Sequence, residues 1–109
     1  MAELSLAQMH ILERLVSRGF AVVAFPLYAT AVGLRRRACA TLVEPLAGGG
    51  FRVYGEPCFL LDGNLSVRVN EKGKSWFVWK KLRLEATAER LAELEQFVAE
   101  LRTLLDSHT

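Results

Sequence analysis

The sequence is short of most of what enzyme chemistry needs. It holds two histidines and two cysteines in 109 residues, so metal sites and Cys/His pairs have few side chains to draw on. His10 lies inside the first helical segment beside its apolar stripe, and His108 stands in the closing tail. No zinc spacing, nucleophile elbow or paired-carboxylate spacing occurs. Glu44, Glu56 and Asp62 fall at turns and strand ends, where carboxylates are ordinarily solvated. The sequence therefore points to no catalytic residue, no metal and no cofactor, and the class expected is non-enzymatic.

Other shortages exclude other classes. Two cysteines, Cys39 and Cys58, are too few for a secreted disulfide scaffold, which usually carries four or more; they are expected as buried small hydrophobes. The opening Met1-Ala2-Glu3-Leu4-Ser5 lacks the basic start and apolar run of a signal peptide, so the expected compartment is the cytoplasm. The longest apolar stretch, Gly19 to Leu34, is broken by Pro26 and followed by Arg35-Arg36-Arg37. It falls short of the ~20 residues a membrane span needs, and its β-branched and aromatic content suits buried strands. Charge of one sign is scarce as well: 14 Lys and Arg face 12 Asp and Glu, a net +2. Any electrostatic partner must be met by a local patch rather than by bulk charge.

What remains is a folded globule. Hydrophobic residues make up 51% and charged residues 24% of the chain, values that exclude disorder. Its length fits one α+β domain over 1–109. Ser5 and Gln8 form a capping box, and Leu4 and Met9 occupy the positions of a hydrophobic staple. Met9, Leu12, Leu15 and Val16 then give one apolar face, and Gly19 is a helix stop. A helix is expected over about 6–18.

Strand patterning follows, with strands expected at about 20–25, 28–34, 38–44, 51–61, 64–69 and 75–84. The division of 27–37 between strand and turn is the least defined. The run Ala47-Gly48-Gly49-Gly50 reads as a hairpin turn, because a phosphate loop would need a helix after it and a strand follows instead. Asp62-Gly63 between apolar runs signals a two-residue type I′ turn; calcium-loop spacing is absent. Asn70 to Lys74 is a second polar turn. Thr87 caps a closing helix at about 88–106, in which Leu91, Leu94, Val98, Leu101 and Leu105 form a seam that Phe97 broadens. Two heptads are too few for a free coiled coil. The fold expected is an antiparallel meander sheet of four to six strands, with an N-terminal and a C-terminal helix covering one face.

One segment invites a functional reading. In Ser75-Trp76-Phe77-Val78-Trp79-Lys80-Lys81-Leu82-Arg83-Leu84, taken as one strand, Trp76 and Val78 share a face and Phe77, Trp79, Lys81 and Arg83 the other. Two helices cover only one face of a sheet. If Trp76 and Val78 join Val67 in the core, Phe77 and Trp79 lie open near Arg68, Lys81 and Arg83; a one-residue slip at the preceding turn would instead expose Trp76. The expected binding residues are Trp76, Phe77, Trp79, Lys81, Arg83 and Arg68, apolar anchors with orienting cations. The function this suggests is a small interaction or dimerisation module acting through that face or the closing helix, its partner a second copy or another protein. Single-stranded nucleic acid, stacked on the aromatics and extended toward Arg35-Arg36-Arg37, is the alternative, and a carrier of small hydrophobic ligands is the next. A membrane partner is not expected.

Overall fold

The computed structural model describes residues 4–25, 28 and 30–106. The bend expected at Pro26, part of the strand expected over 28–34, and His108 lie outside or partly outside those residues. The chain is α+β, with helices α1 (Leu6–Ser17) and α2 (Ala88–Asp106) enclosing eight antiparallel strands. Strands β1 (Ala21–Val23), β2 (Val32–Arg36), β3 (Cys39–Pro45), β4 (Phe51–Leu61) and β5 (Asn64–Leu65) pair in chain order as a five-stranded sheet. Strands β6 (Val67–Glu71), β7 (Lys74–Trp79) and β8 (Leu82–Glu85) form a second, three-stranded one.

Local chemistry sets the ends of α1. The Ser5 hydroxyl accepts from the Gln8 amide, and the Gln8 side chain accepts from the Ser5 amide, which satisfies two donors the first turn would leave bare. At the other end Gly19, at φ +94°, ends the helix: its N–H reaches Val16 and that of Phe20 reaches Leu15, the paired bonds of a Schellman stop. The buried face of α1 is Gln8, Ile11, Leu12 and Leu15. Met9 and Val16, expected on that face, are about half exposed. The stripe is rotated because Gln8 turns inward, its amide donating to the carbonyls of Leu46 and Gly50 across the glycine-rich turn.

Both helices cover the same face of the five-stranded sheet. Ile11, Leu12 and Leu15 of α1 meet Leu94, Phe97, Leu101 and Leu105 of α2 over Val32, Leu34, Cys39, Val43, Phe51 and Phe59. Strand β3 is buried from Cys39 through Val43, which is why its sequence runs apolar without alternating. Phe25 lies against Gly33, where a Cβ would come within 2.4 Å of its ring and of the Val23 carbonyl, so that position admits only glycine. Opposite Thr41, three residues of β4, Gly55 to Pro57, bulge out of the ladder.

Two-residue turns join β4 to β5 at Asp62-Gly63 and β6 to β7 at Lys72-Gly73, as the glycine signals imply. Two further turns carry no glycine. Arg37-Ala38 joins β2 to β3 and Lys80-Lys81 joins β7 to β8, with Arg37 and Lys80 held at φ 57° and 53°. The expected strand 75–84 is therefore two strands. The expected strand 64–69 is also divided, at Ser66, which is buried and donates its hydroxyl to the Phe59 carbonyl 2.6 Å away.

Candidate functional site

The Lys80-Lys81 turn decides which side chains meet. Because the chain reverses there, Arg83 stands opposite Val78, and Glu85 opposite Trp76. Across β6 the partners are Val67 with Val78 and Val69 with Trp76. One face of the three-stranded sheet thus carries two cross-strand rows, Val67–Val78–Arg83 and Val69–Trp76–Glu85. The other carries Arg68–Phe77–Leu84, with Trp79 and Leu82 beyond them.

The inner face is closed at Phe77, while Leu82 at its turn end stays 46% exposed. Phe77 has no solvent exposure and stacks 5.1 Å from Phe59, inside the cluster that also takes Ala86 and Leu94. This corrects the expectation that Phe77 stands open: the sheet turns that row inward because α2 follows β8 directly and draws it onto the core. The register is not slipped, since Trp76 and Val78 still share a face with Val67; it is that whole face, Trp76 included, that turns outward. Trp79 shares the side of Phe77 but is only half-buried, at the β7–β8 turn, where the Lys80 ammonium lies 5.3 Å from its ring.

The outer face is open. Val67 is 63% exposed, and Val69, Trp76 and Val78 are half-buried. None of these four belongs to the core or to the apolar side chains packed on it. The Arg83 guanidinium lies 4.7 Å from the Trp76 ring and holds Glu71 at 2.8 Å, so a cation–π contact orients the ring while leaving its edge accessible. Trp76 and Arg83 of the expected set are brought together here. Lys81 is exposed at the turn, and Arg68 is on the far side of β6.

Arg68 faces a second feature, a groove of about 680 Å³ between α2 and the bulge of β4. Leu91, Leu94, Val98 and Pro57 give it an apolar floor, and Glu56, Arg68, Glu95 and Arg102 line it. Reading the sequence by strands missed this groove, because Glu95 and Arg102 look like an ordinary solvated helix face until the bulge at Gly55 to Pro57 is seen beside them.

The cysteines are free and buried. The Cys39 thiol lies 3.8 Å from a Glu93 carboxylate oxygen; burial first, then the charge of Glu93, pushes it up to about 11. Burial raises Cys58 as well. Both thiols are thereby held in the unreactive protonated form at neutral pH. Among the described residues, no group of three or more His, Cys, Asp or Glu side chains is placed to hold a metal, and no helix is long and apolar enough to cross a membrane. Set against known protein families, curated proteins and solved structures, the chain matches none of them.

Proposed function

We propose that the chain is a non-enzymatic protein-interaction module, whose docking face is the outer side of β6–β8. The observation that carries this reading is the row of four apolar side chains, Val67, Val69, Trp76 and Val78, standing outside the core on a sheet whose other side is closed by Phe77. Apolar surface gathered on one face mostly marks a contact site, and Trp and Arg are both among the residues enriched where contacts carry energy. Residues 67–85 carry a net +4 in a chain whose total is +2; on the face itself Lys74 and Arg83 are balanced by Glu71 and Glu85, and the surplus next to it is Lys72, Lys80 and Lys81 at its turns. The partner that fits is an acidic protein segment rich in apolar residues. The two unbridged thiols suit a reducing compartment, and the cytoplasm is where the module would act.

Display selection of random peptides against the folded chain tests this reading, with the Trp76→Ser protein as the counter-target. Acidic, apolar-rich peptides are expected, and their affinity should fall at least tenfold, on the order of a central interface anchor, when Trp76 is replaced. A selection that returns only peptides indifferent to Trp76→Ser would contradict it. The same net +4 favours a second reading, single-stranded nucleic acid stacked on Trp76. In that case oligonucleotides would bind with affinity falling steeply as salt rises.

A further inference from the structure

The groove beside α2 has a property the β6–β8 face lacks: its charges balance and go unused. Two cations, Arg68 and Arg102, and two carboxylates, Glu56 and Glu95, line it, and among the described residues none of the four joins an ion pair. The ion pairs formed among the described residues lie elsewhere, between Arg36 and Glu100, Arg52 and Glu44, and Arg83 and Glu71. Glu95 and Arg102 stand seven positions apart on one stripe of α2, about 10 Å along its axis, too far to neutralise each other.

That stripe is self-complementary. Leu91, Glu95, Val98 and Arg102 follow at spacings of four, three and four, one line along the groove side of the helix. When a second α2 is laid antiparallel, with the two-fold axis between Val98 and Ala99, each Glu95 faces the partner's Arg102. Val98 then meets the small, exposed Ala99 of the other copy, which lets the helices approach. A two-fold contact must match a surface to itself in this way. Each helix enters the groove of the other, where Glu56 and Arg68 offer the same balanced pair from the strand wall.

We infer that the α2 groove is the seat of a second copy of this chain, in an antiparallel α2–α2 dimer held in register by Glu95 and Arg102. The proposal is independent of the peptide-docking reading, since it uses no residue of the outer β6–β8 face.

Charge reversal tests the register. Sedimentation equilibrium of the wild-type chain at physiological salt should give twice 12.2 kDa. Glu95→Arg and Arg102→Glu should each weaken the dimer about a hundredfold or more, because like charges then face one another twice, with circular dichroism unchanged. Mixed in equal amounts, the two variants should restore a dimer of one copy of each, and the double variant should dimerise by itself. Trp76→Ser should leave the mass unaltered. A monomeric wild-type chain, a dimer indifferent to both reversals, failure of the mixture to associate, or a dimer lost through Trp76→Ser would overturn the proposal.

Discussion

The two sheets of this molecule solve the problem of sidedness differently. In the five-stranded sheet the central strand β3 is buried on both faces, from Cys39 to Val43. The helices lie on one face, and on the other the Phe25 ring rests on Gly33. In the three-stranded sheet burial stops halfway through a single strand: Phe77 is sealed while Trp76 and Val78, its chain neighbours, remain in reach of water. An apolar side chain does not by itself mark core or site. The neighbouring element decides, and among the described residues none covers the outer side of β6–β8. The charge differs in the same sense, since the excess of cations is gathered at the turns of the three-stranded sheet, at Lys72, Lys80 and Lys81.

Adjacent substitutions on β7 give the largest effect. Phe77→Ala should cost about 3–5 kcal/mol, as for a large aromatic cut from a packed core, whereas Trp76→Ala should cost about 1 kcal/mol or less. Urea denaturation of the two proteins measures the contrast, and equal losses would erase the distinction between the faces. Within the five-stranded sheet, Gly33→Ala should destabilise by about 1–3 kcal/mol, because the added methyl meets both the Phe25 ring and the Val23 carbonyl, which is backbone and yields little. A thermal melt unchanged by this substitution would show that the rear of that sheet is not closed as described.

Subtler effects probe the buried strand itself. Thr41 is buried with its hydroxyl unpaired beside the β4 bulge, so Thr41→Val should be neutral or stabilising by up to ~1 kcal/mol, having removed an unsatisfied polar group. A clear loss of stability in urea would mean that the hydroxyl has a partner. Cys39 carries a sign that can be checked. Its native pKa of about 11 lies above the ordinary 9.0, so folding favours the protonated thiol. Its contribution should be fully present below pH 9 and decline as pH rises through about 11. Cys39→Ala should flatten that alkaline decline in denaturation midpoints, and an identical decline in both proteins would assign it to other groups.

Local signals were readable and long-range ones were not. Ser5 and Gln8, Gly19, Asp62-Gly63 and Thr87 each announce a cap or turn through their own chemistry, and each stands where the sequence implies. The turns at Arg37-Ala38 and Lys80-Lys81 have no such residue. The ladders on either side hold Arg37 and Lys80 left-handed, a cost of roughly 1 kcal/mol or more that packing must offset. Missing the second turn carried Arg83 to the wrong face and merged two strands into one. Phe77 and Trp76 were both legible as candidate anchors, but alternation alone is symmetric between faces. Only the docking of α2 on Ala86 and Leu94 breaks that symmetry.

The most direct measurement is an amide and indole NMR map of the labelled chain during titration with a selected acidic peptide. Shifts are expected to concentrate at Val67, Val69, Val78 and the Trp76 indole, with β3 and the α2 groove silent. A map centred on the five-stranded sheet or along α2, with the Trp76 indole unmoved, would contradict the account.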